Sequence, residues 1–146
     1  MKISSPDFIH HGKIPKKFTC QGEDISPTLV IEDIPLEAKT LVLIIDDPDA
    51  PVKTWIHWVL FNIPFTEDPL RIEEGTAPGH QGINDFKKMN YGGPCPPSGI
   101  HRYFFKVYAL DDELPLSSGC TLTELKNAMQ NHILDQAELI GLYEKG

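Results

Sequence analysis

Long hydrophobic runs are absent from this chain, and its longest uninterrupted apolar stretch is LVLII at residues 41–45. A membrane-spanning helix needs about 20 consecutive apolar residues, so we expect no transmembrane segment. The opening residues, MKISSPDFIHHGKIPKKF, also lack the apolar core of a secretory signal. These two absences predict a cytoplasmic protein.

Cysteine is scarce: Cys20, Cys95 and Cys120 are odd in number and have no C-x-x-C spacing. This pattern favours free thiols in a reducing compartment over a disulfide framework. A single Cys20–Cys95 bridge stays compatible with the sequence.

Basic residues are outnumbered, with 13 Lys and Arg against 21 Asp and Glu and a net charge of −8. Nucleic acid and anionic membrane surfaces repel such a chain, so neither is expected as a partner. A small local site for an anion remains compatible with this charge. The 40% apolar content is typical of a folded protein with a core.

Long uninterrupted segments are also missing, because 13 prolines and 11 glycines punctuate nearly the whole chain. Between them lie short β-like runs: TLVIEDI, TLVLIID, WIHWVLFN, HRYFFKVYAL and AELIGLYE. The intervening segments are too rich in proline to supply the helical crossovers of a parallel sheet. With 146 residues and no repeat, we expect a single domain over residues 1–146, mainly β, built as an antiparallel sheet or sandwich.

One helix is expected, in TLTELKNAMQNHI. Thr121 and Glu124 have the spacing of a capping box, in which each side chain bonds a free backbone N–H group. An apolar stripe at helical spacing follows, formed by Leu122, Leu125, Met129 and His132 or Ile133. The stretch 66–98 is the least regular part of the chain, and a loop of that length is commonly functional.

Two of the predicted strands begin with an imidazole among aromatic rings. Side chains alternate along a strand, so one face of WIHWVLFN carries Trp55, His57, Val59 and Phe61. The same rule groups His101, Tyr103, Phe105 and Val107 in HRYFFKVYAL. If the two strand starts are neighbours, His57 and His101 face a common hollow.

The segment DDPDAP follows an apolar strand, so Asp47 and Asp49 lie at a strand end whose backbone is restricted by prolines. A carboxylate beside His57 or His101 would orient the ring and favour its protonated form. The loop YGGPCPPSG can add exposed backbone N–H donors. Together with Tyr103, these groups predict a shallow pocket for a small anion.

Simpler interpretations stay open for each residue taken alone. A histidine on a strand is commonly a core residue with satisfied hydrogen bonds, and DPDAP is commonly a turn. Arg102 is interpreted as an ion-pair partner. The remaining histidines are interpreted as surface or packing residues: His10, His11, His80 and His132.

Two kinds of chemistry are weaker alternatives. Two imidazoles and two carboxylates suit zinc or iron, but no H-x-H or H-E-x-x-H pairing is present, so no metal is expected. No serine lies in a G-x-S-x-G setting. Cys95 with a nearby histidine could act as a thiolate, although its flanking prolines equally suggest a rigid wall.

These motifs carry a family resemblance. DPDAP and WIHW, followed by YGGPCPPSGIHRY, resemble the phosphatidylethanolamine-binding protein family, which includes the Raf kinase inhibitor proteins. The likeness extends over nearly the whole chain, since SPDF, IPKKFTCQGEDISPTL, GINDF and AELIGLYE are similar to its short bacterial and archaeal branch.

The resemblance implies a Greek-key β-sandwich with a small pocket near one end for phosphate-like groups, including the phosphoethanolamine head group. Carried over by motif position, its ligand-binding residues are Asp47, Asp49, Trp55, His57, Gly93, Pro94, His101 and Tyr103. Cys95 stands where many relatives have a second proline. The helix that covers the pocket in longer eukaryotic members is not expected, so kinase regulation is not carried over.

We therefore expect a non-enzymatic binding protein for a small phosphorylated or similarly anionic ligand, without catalytic residues, cofactor or metal. A hydrolase or other enzyme that uses the same Asp/His cluster is the main alternative. A regulatory protein whose pocket is secondary to a protein partner is another. A homodimer is left open.

Overall fold

The computed structural model describes residues 1–146 and contains nine β-strands, one α-helix and a short 3-10 helix. In chain order the strands are β1 (Lys2–Ser4), β2 (Gly12–Lys13), β3 (Leu29–Glu32), β4 (Thr40–Asp47), β5 (Trp55–Ile63), β6 (Leu70–Ile72), β7 (His80–Gln81), β8 (His101–Leu110) and β9 (Ile133–Tyr143). The helix α1 spans Leu122–Met129, and the 3-10 helix spans Lys16–Phe18. No helix has the length and apolar character required to cross a membrane.

The strands form two sheets. Six of them pair in the order β2-β9-β8-β4-β5-β7, and three pair in the order β1-β3-β6. Every pairing is antiparallel except β2 with β9, which is parallel. The mainly-β prediction is confirmed, but the expectation of a purely antiparallel sheet is wrong at this edge. β2 and β9 lie near opposite ends of the chain, so most of the protein connects them and no local crossover helix is needed.

The core lies on both faces of the six-stranded sheet. A main cluster of 20 buried residues fills the space between the two sheets, and a second cluster of ten lies between the large sheet and α1. Strand β4 contributes to both clusters. Leu43 and Ile45 lie in the main cluster, and Val42 and Ile44 lie in the second. Burial on both faces explains why LVLII is continuously apolar. The Greek-key connectivity stays a prediction.

The helix has the predicted start and an earlier end. Thr121 accepts a hydrogen bond from the Glu124 backbone N–H group, and the Glu124 carboxylate accepts one from the Thr121 backbone N–H group, which confirms the capping box. Leu125 and Met129 are buried against the second cluster. The extension of the apolar stripe to His132 or Ile133 is wrong. The chain leaves the helix at Met129, Asn131 adopts a left-handed φ of 69°, and Ile133 starts β9.

A β-bulge at His57 breaks the predicted alternation in β5. Ile45 lies opposite Trp58 and Asp46 lies opposite Ile56, so His57 is an extra residue without a partner on β4. Beyond the bulge, Trp58 belongs to the main core, whereas Val59 and Phe61 belong to the second cluster. The prediction that His57 shares a face with Val59 and Phe61 is therefore wrong. The bulge instead directs His57 toward the end of the sheet.

Candidate functional site

The end of β4 and the starts of β5 and β8 meet at one end of the large sheet. Because β4 lies between β5 and β8 and is antiparallel to both, its last residues lie beside their first ones. Asp47 is opposite Trp55, and Asp46 is opposite Phe104. A cavity of about 280 Å³ opens here, lined by Asp47, Ala50, Pro51, Trp55, His57, Phe86, Cys95, Pro97, His101 and Tyr103.

A buried His–Asp pair forms part of the cavity wall. Nδ1 of His101 donates a hydrogen bond to Oδ2 of Asp47 over 2.6 Å, and both side chains are almost inaccessible to solvent. The other carboxylate oxygen of Asp47 accepts the Asp49 backbone N–H group at 2.8 Å. Asp47 therefore fixes the orientation of the His101 ring and leaves Nε2 as the ring nitrogen available to the cavity.

His57 is held in the same way by a backbone carbonyl. Its Nδ1–H group donates to the oxygen of Gly92 over 2.7 Å, and its ring packs edge-on against Tyr103 with a centroid separation of 5.3 Å. Burial lowers the pKa of His57 below its usual value, although the Gly92 carbonyl and the Asp47 carboxylate act in the opposite direction. The expectation that a nearby carboxylate favours the protonated form is therefore outweighed at His57 by desolvation.

Tyr103 lies between the two imidazoles. Its ring is buried and stacks on His101 with centroids 6.4 Å apart, while His57 packs on it edge-on. Burial raises the pKa of the Tyr103 phenol far above its usual value, and the Asp47 carboxylate adds to this effect. The phenol is therefore a neutral O–H group throughout the physiological range.

Asp49 does not line the cavity. Its carboxylate binds Arg102 through both oxygens, with Nε and Nη2 each at 2.9 Å, and it also accepts the Arg102 backbone N–H group. The Arg102 guanidinium holds the pKa of Asp49 at about 2. This pair fastens the loop after β4 to the start of β8, and Arg102 is the ion-pair partner that the sequence predicts.

Gly93 and Pro94 lie behind the cavity wall. The Gly93 N–H group donates to Oδ1 of Asp24 over 2.8 Å, and the Pro94 carbonyl accepts the Cys20 N–H group at 3.1 Å. Both residues are buried and connect the loop that follows residue 90 to the segment around residues 19–24. Of the eight residues predicted for the site, five line the cavity with Trp55 among them, and Asp49, Gly93 and Pro94 support it from outside.

Cys95 forms a disulfide with Cys20, which corrects the interpretation of these cysteines as free thiols. Cys120 is the free cysteine, and it is buried. The two bonded residues are 75 positions apart in sequence, so spacing gave no indication of their proximity. A Cys95 thiolate nucleophile, one of the alternatives for this site, does not exist while the bridge is intact.

The sequence reasoning missed Phe86, which forms one side of the cavity. Alternation along strands cannot locate a residue of an irregular loop, and Phe86 lies between β7 and β8. The signal present in the sequence is an aromatic side chain flanked on both sides by polar residues, in NDFKK. Pro51 and Pro97 also line the wall and come from the proline-rich loops.

Metal-binding geometry is not found. No group of three or more His, Cys, Asp or Glu side chains is arranged to hold a metal ion. Asp47 and His101 bond to each other, and Asp49 faces Arg102.

A larger cavity of about 560 Å³ lies near the N-terminus of α1, and four of its five charged side chains are already paired, with Lys126 as the exception. Nζ of Lys106 lies 2.8 Å from Asp46, and Nζ of Lys53 lies 3.1 Å from Asp85. The members of each pair neutralise each other, which leaves Lys126 as the charged donor of this surface without an ion pair, whereas two imidazoles converge at the cavity of His57 and His101.

Comparison with known proteins gives consistent results. The family model for phosphatidylethanolamine-binding protein matches residues 4–144. A UPF0098 protein of Methanothermobacter thermautotrophicus is 47% identical, with the alignment covering 100% of both chains.

Solved structures agree in fold. A crystal structure of a phosphatidylethanolamine-binding protein homologue from Chlamydia trachomatis has a TM-score of 0.94 and 42% identity, covering 99% of this chain and 97% of that one. The structure of E. coli YbcL, described as a new member of the mammalian family, has a TM-score of 0.89 and 28% identity, covering 99% and 98%. The chain belongs to the phosphatidylethanolamine-binding protein family.

Proposed function

We propose that this protein binds a small phosphate-containing anion in the cavity between β4, β5 and β8, and that it does so without turning the ligand over. One observation carries the proposal: His57 and His101 flank Tyr103 in a single cavity, and each ring has its Nδ1 atom committed to a fixed acceptor. The two Nε2 atoms are then the groups left to meet a ligand.

An anion is the ligand that suits two such nitrogens. When an imidazole is protonated, Nε2 becomes a charged donor, and a hydrogen bond from a charged donor to a phosphate oxygen is short and strong. The whole chain carries a net charge of −8, so attraction for an anion has to come from these local donors. Family membership supports ligand binding in general, and the choice of phosphate is our proposal.

Binding without catalysis is the simpler use of these residues. Cys95 is tied to Cys20, and the Tyr103 phenol has a raised pKa, so neither supplies an anionic nucleophile at neutral pH. The two imidazoles bond the Gly92 carbonyl and the Asp47 carboxylate, and neither ring is bonded to a serine or thiol. A hydrolase that uses the same cluster is the alternative, and it requires measurable turnover.

Removal of one imidazole tests the proposal. Each charge-assisted hydrogen bond contributes about 1.5–3 kcal/mol, so His101→Ala should weaken phosphate binding roughly tenfold to a hundredfold in calorimetric titrations at pH 6. The matched control is His132→Ala, because His132 also donates through Nδ1 to an aspartate, Asp111, at 2.7 Å, but on the surface.

We expect the His132→Ala variant to bind phosphate like the wild type, with circular dichroism confirming that both variants are folded. Equal affinity of His101→Ala and the wild type would reject the proposed pocket.

A further inference from the structure

Phe86 is a large apolar side chain that packs into neither hydrophobic cluster and remains 38% exposed. Its ring instead forms a wall of the cavity and contacts two other wall residues edge-on. The ring centroids lie 5.6 Å from Trp55 and 5.4 Å from His57. Its position therefore serves the cavity and not the core.

The loop that carries Phe86 is held by a buried asparagine. Oδ1 of Asn84 accepts the backbone N–H groups of Phe86 and Lys88, both at 3.0 Å. Its Nδ2 group donates to the carbonyls of His57 and Asn90, at 3.2 and 2.8 Å. Asn84 thus ties the backbone of Phe86 directly to the bulge that presents His57.

The Phe86 ring is also seated against a glycine. A Cβ atom at Gly92 would clash with Cε2 of the ring, because it would lie closer than nonbonded carbons approach. Gly92 is the residue whose carbonyl orients His57. The aromatic wall and the imidazole are therefore positioned by the same short segment.

The cavity has a polar end and an apolar wall. Its polar side chains are those of Asp47, His57, His101 and Tyr103, whereas Trp55, Phe86 and the adjoining prolines are apolar. Its volume of about 280 Å³ is some nine times the ~30 Å³ that one water occupies in the liquid. Inorganic phosphate, with five heavy atoms, would fill the polar end and leave the apolar wall in contact with water.

A neutral alkyl substituent suits this wall better than a cationic one. Nζ of Lys53 lies over the Trp55 ring, 5.8 Å from its centroid, and is paired with Asp85 at 3.1 Å, so this ring already holds a cation whose charge is balanced. A neutral alkyl group gains from burial, whereas an ammonium group would lose hydration and find Asp47, the carboxylate of the lining, already bonded to His101.

We propose that Phe86 is a specificity-determining residue, positioned by Asn84, and that the preferred ligand is a phosphate monoester whose neutral apolar substituent packs on Phe86 and Trp55. This inference rests on the proposed anion pocket and adds the ligand class to it. The phosphate group occupies the imidazole end, and the substituent replaces water along the aromatic wall.

The test compares four probes by calorimetry: inorganic phosphate, methyl phosphate, propyl phosphate and phosphoethanolamine. Propyl phosphate and phosphoethanolamine have the same number of heavy atoms and differ in a terminal methyl against an ammonium group. We expect the wild type to bind propyl phosphate about tenfold more tightly than methyl phosphate, since full burial of its two additional methylenes, at roughly fourfold each, sets a limit of about sixteenfold. Propyl phosphate should also bind more tightly than phosphoethanolamine.

Two variants and one control test whether Phe86 and Asn84 determine the preference for propyl phosphate over methyl phosphate. Phe86→Ala should reduce the ratio of propyl to methyl phosphate affinity from about tenfold to below about twofold. Asn84→Ala should reduce the same ratio, which a merely structural loss of stability would not change. Met89→Ala removes a half-exposed apolar side chain of the same loop that does not line the cavity, and it should keep the wild-type ratio.

The outcomes separate this inference from the proposed function. A wild type that binds none of the four probes overturns the anion pocket itself. A wild type that binds inorganic phosphate but shows no preference for propyl phosphate, or prefers phosphoethanolamine, overturns only the inference about the aromatic wall. Retention of the full preference by Phe86→Ala does the same.

Discussion

At His57, the cost of removing a charged ring from water exceeds the attraction of the Asp47 carboxylate, and the pKa of the imidazole falls below its usual value. His101 has a different environment, because Asp47 bonds directly to its Nδ1 atom. Two rings of the same chemical type therefore line one cavity on either side of Tyr103 with different partners, one a neutral carbonyl and the other a carboxylate. A ligand that bears negative charge supplies His57 with the counter-charge that its own surroundings provide only weakly.

A pH dependence of anion binding follows at the residue scale. His57 is mostly neutral at pH 7 in the free protein because its pKa is lowered, and a bound anion stabilises the protonated ring. Binding is therefore coupled to proton uptake, so affinity should rise as pH falls from 8 to 6. Sulfate is a suitable probe for calorimetric titration, because its own charge stays constant over this range. A sulfate affinity that is flat, or that increases with pH, would contradict the role of imidazolium donors.

The predictable residues are those governed by strand position. The position of Asp47 at the end of β4 and the alternation of side chains in β8 predict that Asp47, His101 and Tyr103 lie close together. The structure places all three at one cavity. Phe86 and the disulfide depend on how irregular loops pack over long sequence separations, which no local pattern encodes. Asp49 was predicted by motif position as a ligand-binding residue, and the structure gives it Arg102 as its direct partner.

At the scale of elements, the site depends on departures from regular structure. The β-bulge at His57 reorients one residue of β5, and the loops around residues 19–24 and 90–97 are joined by the Cys20–Cys95 bond. The alternation rule failed in β5 because the extra residue at His57 reverses the faces of the side chains from Trp58 to Phe61. The capping box of α1 was predictable because it depends on residues only three positions apart.

Loss of the disulfide should destabilise the fold. Closure of a loop of 75 residues stabilises a protein by about 4.5 kcal/mol in the chain-entropy model, so a double variant, Cys20→Ser with Cys95→Ser, should unfold at a clearly lower urea concentration. A dithiol reductant should produce a similar loss in the wild type and no further loss in the double variant, which serves as the control. An unchanged urea midpoint in the reduced wild type would contradict a stabilising role for this bond.

At the scale of the whole molecule, an acidic protein concentrates a few donors in one small cavity. The net charge of −8 follows directly from the sequence, but it does not indicate which donors converge at one end of the large sheet. The disulfide also bears on the cellular compartment of the protein. Bonds of this kind are rare in the cytosol of mesophiles, so the cytoplasmic prediction loses the support that it drew from free thiols.

The proposed binding without catalysis is testable on the intact protein. A purified, metal-free sample should hydrolyse p-nitrophenyl phosphate and p-nitrophenyl acetate no faster than a His57→Ala variant, because neither Cys95 nor Tyr103 supplies an anionic nucleophile. Release of p-nitrophenol is followed by absorbance. Reproducible turnover that disappears in His57→Ala would move the hydrolase alternative ahead of the binding function.

The most direct measurement is a titration of ¹⁵N-labelled protein with inorganic phosphate, followed by NMR through backbone amides and histidine ring nitrogens. The two imidazoles and the loops around them should respond to the same ligand concentration. We expect the largest shifts at residues 47–57 and 91–103 and at the Nε2 atoms of His57 and His101, with the ring of His132 nearly unchanged. Shifts centred elsewhere, or silent His57 and His101 rings at saturating phosphate, would contradict an anion site at this end of the sheet.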